Sequence, residues 1–175
     1  MTETEDEKDR HDDRAAYGVE ISRDIIKLAV VERHNNTGHI GVGYIHGYGL
    51  QKGAIASSIA HDSHNLIIAG TNDADMALAA NTVRANEGGI AVVADGKVLG
   101  ELALPIGGLM CDESAEQIEK KLTGLKDLAR KLGVKTGIDP FMTLGFVSLP
   151  VIPSLRLTTG GLVDVATQKT VPVIF

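Results

Sequence analysis

Five consecutive polar residues, His61-Asp62-Ser63-His64-Asn65, stand between two apolar segments, 53–60 and 66–69. Two imidazoles flanking a carboxylate can take up and release protons near neutral pH. A hydroxyl and a carboxamide can read the polar edge of a ligand. The residue types therefore nominate His61, Asp62 and His64 for catalysis, and Ser63 and Asn65 for substrate binding. The competing reading is a tight turn whose side chains hydrogen-bond the backbone around them. In either case a buried polar group left unpaired costs about 1–3 kcal/mol, so the cluster needs partners.

The neighbouring elements must position the cluster. Residues 54–60 and 66–69 read as strands entering and leaving it. Gly70-Thr71-Asn72-Asp73 then opens a helix, with Met76, Ala79, Ala80 and Val83 as its apolar face and Glu87-Gly88-Gly89 as its stop. If the second strand is short, free N–H groups of the helix N-terminus lie near the cluster, where they suit an electron-rich ligand. Thr71 and Asn72 are nominated for substrate binding on that basis; helix capping explains them equally. Upstream, residues 25–32 read as a strand apolar enough for burial on both faces. It ends in Arg33-His34-Asn35-Asn36-Thr37-Gly38-His39, a turn-rich loop. His34 joins the substrate-binding candidates, against the alternative of a satisfied loop histidine.

The remaining chain is scaffold. Residues 40–45 form a short strand with Gly41 and Gly43 as points of close approach. Asp95-Gly96 between two apolar runs spells a hairpin with a type I′ turn. From Asp112 to Leu132 the apolar residues Ile118, Leu122, Leu125, Leu128, Ala129 and Leu132 keep helical spacing, and Gly133 stands at the C′ position. The lysines of that helix read as a solvated face. Two prolines ten residues apart, Pro140 and Pro150, exclude one continuous helix over the apolar segment 139–153. Short strands or loops are expected there, with an oligomeric interface as the use of any exposed part. Residues 155–175 read as short strands around a Gly160-Gly161 turn. The fold class is thus α+β: a mixed sheet with at least one antiparallel hairpin, covered by two main helices. Residues 17–175 form one domain, preceded by a disordered acidic leader at 1–16.

Composition narrows the function classes. The first fourteen residues carry seven acids and three bases, which supply −4 of the net −6. No basic stripe remains, so nucleic acid is not an expected partner. Aromatic content is 3%, so Ala, Val, Ile and Leu build the core. The single Cys111 excludes an internal disulfide and a cysteine-based zinc site. No apolar run approaches 18 residues and the N-terminus is acidic, so neither membrane nor signal peptide is expected and the default location is cytoplasmic. His61-x-x-His64 offers two imidazoles to a metal only if the backbone turns helically, and no third ligand is placed by sequence.

The wording as a whole resembles the C-terminal region of bacterial and archaeal adenine deaminases. The match rests on Val31-Glu-Arg-His34 with Thr37-Gly38, Gly47-Tyr-Gly-Leu50, Lys52-Gly-Ala54, Ala60-His-Asp-Ser-His-Asn65 and Gly70-Thr-Asn-Asp73. It continues through Leu104-Pro-Ile with Gly108-Leu-Met110, Asp139-Pro-Phe-Met-Thr-Leu144 and Leu149-Pro-Val-Ile-Pro153. Thr158-Thr-Gly-Gly161 departs from the more charged turn expected there. The resemblance implies hydrolysis of adenine to hypoxanthine and ammonia, on a metal-bearing amidohydrolase barrel whose ligands include a His-x-His pair. This chain has no such pair, so no metal ligand carries over and no cofactor is expected on it. A purine ligand, an amidohydrolase barrel on another chain and further copies of itself are the expected partners. Three functions stay open: an accessory, purine-binding module, a self-sufficient small metal- or His/Asp-dependent hydrolase, and a structural oligomerisation module.

Overall fold

The computed structural model describes residues 18–173. The acidic leader expected at 1–16 lies outside the described residues. Among the described residues nine strands and three α-helices follow in the order β1 (Ile25–Val31), β2 (Ile40–His46), β3 (Ala54–Ser57), β4 (Leu66–Gly70), α1 (Asp73–Ala85), β5 (Gly89–Ala94), β6 (Lys97–Ala103), α2 (Ala115–Lys131), α3 (Pro140–Val147), β7 (Leu155–Thr158), β8 (Gly161–Asp164) and β9 (Lys169–Val171). The first six strands form one sheet in the order β2-β1-β4-β3-β5-β6, and the last three form a second, β7-β8-β9.

The fold is α+β, as the sequence indicates, but every strand pairing among the described residues is antiparallel, not mixed. The unit β4-α1-β5 explains the difference. Its two strands run in the same direction, as a helical crossover requires, but β3 is inserted between them and pairs antiparallel with both. Helix–strand alternation therefore occurs without adjacent parallel strands.

Both faces of the sheet's inner strands β1, β4, β3 and β5 are covered, which is why these read as nearly unbroken apolar runs. Ile26, Leu28, Val30, Ile55, Ile67, Ile90, Val92 and Leu102 pack under α2, α3 and Leu157 of the small sheet. The alternate residues Ala29, Ala54, Ala56, Ile68, Ala91 and Val93 face Met76, Ala79 and Val83 of α1. Small side chains dominate the second set, so α1 sits close to the sheet. The small sheet is seated by contact with β2: a Cβ added at Gly41 would lie 1.8 Å from the Thr158 carbonyl oxygen.

Local signals operate as written. Asn72 caps α1 by accepting from Asp75 N at 2.8 Å. Asp95 and Gly96 take φ 56° and 68°, the type I′ pattern. Ser114 and Gln117 form a reciprocal capping box on α2. Two expectations need correction. The first strand beside the cluster ends at Ser57, not at residue 60. The segment 139–153 contains a helix, α3, rather than strands or loops alone. Pro140 occupies its first turn, where a missing N–H costs nothing, and Asp139 accepts from Phe141 N and Met142 N at 3.0 Å each. An eight-residue helix fits between the two prolines.

Candidate functional site

Strand directions decide what meets the His61–Asn65 turn. β1 ends at Val31 opposite Leu66, where β4 begins, and Ser57 at the end of β3 faces Ile90 at the start of β5. Gly89 pairs with Ala103 at the end of β6. One end of the sheet therefore gathers four connections: the 32–39 loop, the 58–65 turn, the 86–88 corner and the 104–111 loop.

These connections are bonded to one another. The Arg33 guanidinium donates from Nε to the His64 carbonyl at 2.5 Å and from Nη2 to the Gly107 carbonyl at 2.6 Å. His34 contacts the Ser63 carbonyl through Nε2 at 2.7 Å. A carbonyl only accepts, so that ring nitrogen carries the proton. Ser58 is fully buried. Its hydroxyl donates to the Gly108 carbonyl at 2.6 Å and accepts from Gly89 N at 2.7 Å. Within the turn, His64 N donates to the Ala60 carbonyl at 2.6 Å and Asn65 N to the Ser63 hydroxyl at 3.4 Å. His64 adopts φ 49°, which closes the turn.

Glu32 holds the loop that carries Arg33 and His34. Its carboxylate accepts from His34 N at 2.5 Å, Asn35 N at 2.7 Å and Thr37 N at 3.1 Å, and from the Thr37 hydroxyl at 3.0 Å. The bonds from Thr37 and its neighbours favour the ionised form and bring its pKa down to about 2. Burial lowers the Arg33 pKa, since a desolvated guanidinium holds its proton less firmly.

The candidate residues divide clearly. His61, Asp62, Ser63, His64, Asn65 and His34 are brought together. Asp62 and Ser63 are exposed; His61, His64 and Asn65 are half-buried. The His61 ring lies 5.1 Å from that of Phe146 on α3, tilted by 36°. Among the described residues no hydrogen bond joins Asp62 to either imidazole. Two side-chain atoms on the turn, His64 Nδ1 and Asn65 Oδ1, are buried without a hydrogen-bond partner. Thr71 and Asn72 do not reach the cluster, because β4 separates them from it by about 20 Å of extended chain. Thr71 bonds the Gly53 carbonyl through both its N–H and its hydroxyl, and Asn72 is spent on capping. The expectation that the helix N-terminus lies beside the cluster is thus corrected: α1 directs its C-terminal end to this side.

Among the described residues, no three His, Cys, Asp or Glu side chains are grouped to hold a metal ion. The His61-x-x-His64 pair has no third ligand, so the residues present do not fit a catalytic metal, and no step is routed through one in this chain. A cavity of about 450 Å3 opens beside the site, lined by Val31, Arg33, Leu66, Arg84, Glu87 and Gly88. Arg33, Glu32, Ser58 and Phe146 were not among the candidates. Their partners lie 31–85 positions away along the chain, except for the Glu32 loop, whose local spacing could have been read.

The 1–169 region matches the family model described as "Adenine deaminase C-terminal domain". The chain is 58% identical over 151 residues to adenine deaminase 2 of Carboxydothermus hydrogenoformans, covering 86% of this chain and 26% of that protein. It is 49% identical over 163 residues to the adenine deaminase of Moorella thermoacetica, covering 93% and 27%. With the adenine deaminase of Listeria welshimeri the identity is 50% over 153 residues, covering 87% and 26%. The chain thus spans about a quarter of the length of the curated relatives it matches. On the strength of a family match that runs through the leader, the sheet and the site turn alike, this chain belongs to the adenine deaminase C-terminal domain family.

Proposed function

We propose that this domain is an accessory module of adenine deamination, which presents the 61–65 turn to a purine held by the body of a deaminase. The observation that carries the reading is the pair of orphaned atoms on the turn, His64 Nδ1 and Asn65 Oδ1. Each costs about 1–3 kcal/mol while buried and unpaired. A purine edge recovers that cost. Its amino group donates to Asn65 Oδ1, and a ring nitrogen exchanges a hydrogen bond with the His64 imidazole.

The turn is suited to this task because its backbone is fixed from outside by Arg33 and His34, leaving the side chains of His64 and Asn65 unspent. The attack of water on the purine and the departure of ammonia are assigned to the body, because among the described residues no three potential ligands are grouped for a metal and no hydrogen bond joins Asp62 to an imidazole of the turn. The test is ammonia release from adenine. The chain alone should release none. Added to a deaminase lacking its own copy of this domain, it should raise turnover, and the His64→Ala, Asn65→Ala double variant should raise it at least about tenfold less, the equivalent of about 1.4 kcal/mol. Equal rescue by the double variant refutes the reading.

A further inference from the structure

We infer that the 105–110 loop and the outer face of α3 form one docking surface for the body of an adenine deaminase, with the 61–65 turn enclosed between them. The inference rests on the accessory-module reading and adds to it where the partner sits. Helix α3 has the sequence Pro-Phe-Met-Thr-Leu-Gly-Phe-Val, with Thr143 its one polar side chain. A helix apolar on all sides belongs in an interior, yet only Pro140, Phe141, Leu144 and Gly145 are buried. Met142 and Phe146, one turn apart on the same face, are 54% and 39% exposed. Across the turn the 105–110 loop exposes Ile106 at 50% and Met110 at 60%.

Both outcrops touch the site. Phe146 packs on His61, and the 105–110 loop is tied through Arg33 to His64. A partner that covers both encloses the turn and brings the purine it holds against the orphaned atoms. Methionines and an aromatic ring at the centre of such a patch are the composition of a protein interface. The occupant follows from length. This domain makes up 26–27% of relatives that are 49–58% identical to it, so about three quarters of each relative is other polypeptide. That remainder is the body to which the surface is fitted.

The test is co-expression with the body of Carboxydothermus hydrogenoformans adenine deaminase 2, its matched region removed, so that each piece folds in the presence of the other. The wild-type chain should co-purify in a 1:1 complex. Met110→Glu and Met142→Glu should each weaken association by about tenfold or more. Val98→Glu, on the edge strand β6, should leave it unchanged. Thermal melts of each variant alone should match wild type, because both methionines are exposed. His64→Ala with Asn65→Ala should retain association and lose turnover, which separates failure of the docking surface from failure of the purine-reading turn. Absence of a wild-type complex, or glutamate variants that bind within about twofold of wild type, overturns the inference. So do glutamate variants that disperse only a complex between copies of this chain.

Discussion

Replacing Arg33 by alanine removes the clamp that ties its own loop to the 58–65 turn, 31 positions away, and to the 104–111 loop, 74 positions away. Two hydrogen bonds from a charged donor are lost, one to the half-buried His64 carbonyl and one to the exposed Gly107 carbonyl. A charge-assisted bond contributes about 1.5–3 kcal/mol when shielded, and the exposed one contributes less because water replaces it. The expected loss is therefore about 2–3 kcal/mol, seen in urea denaturation as a lower midpoint with an unchanged slope. Arg33→Lys keeps the charge but not the planar fork, so it should recover about half of that loss. Hydrogen exchange supplies the local reading: amides in 61–66 and 105–110 should exchange faster in Arg33→Ala, while those of α1 keep their rates. A loss below about 0.5 kcal/mol, or faster exchange spread evenly over the sheet, refutes the clamp.

Three further outcomes follow from the geometry. The Glu32 carboxylate is ionised down to about pH 2 in the folded loop but protonates near its ordinary value of 4.5 when the loop opens. Its contribution is thus complete above pH 4.5 and is lost as pH falls from there toward 2; amide resonances of Asn35 and Thr37 should report that loss. Gly41→Ala drives a methyl group into the Thr158 carbonyl and should cost about 2 kcal/mol or more, with β7–β9 amides losing protection first; wild-type stability would show that the small sheet is not seated there. Tyr48→Phe leaves the buried Pro140 carbonyl without its 2.7 Å donor and should cost about 1–2 kcal/mol in thermal or urea denaturation; a neutral change would mean that α3 is not anchored by this bond.

The scaffold was legible where the information is local. Asn72 three residues before Asp75, Ser114 three before Gln117, and Asp95-Gly96 between apolar runs each specify a structure within a few positions. Burial on both faces of β1 was legible as well, from a run of apolar residues interrupted only by the half-buried Lys27. Strand order was not, because the insertion of β3 between β4 and β5 leaves no mark on either strand. Helix α3 was hidden because proline suggested a barrier, when at the first helical position it is compatible with the helix. For the site, the cluster His61-Asp62-Ser63-His64-Asn65 and its neighbour His34 stood out by type. The groups that hold it did not: Arg33 and Ser58 act on backbone carbonyls of distant loops, and such contacts are set by which strand ends coincide. Thr71 and Asn72 were drawn in by nearness in sequence, which a five-residue strand converts into distance.

The most direct test of the central claim is hydrogen exchange on the complex of this chain with a deaminase body, with and without a non-hydrolysable adenine analogue. The ligand should slow exchange at 61–66 in the wild-type chain and fail to do so in the His64→Ala, Asn65→Ala variant. Unchanged exchange across 61–66, with protection confined to the body, would show that the turn does not face the purine and would contradict the account.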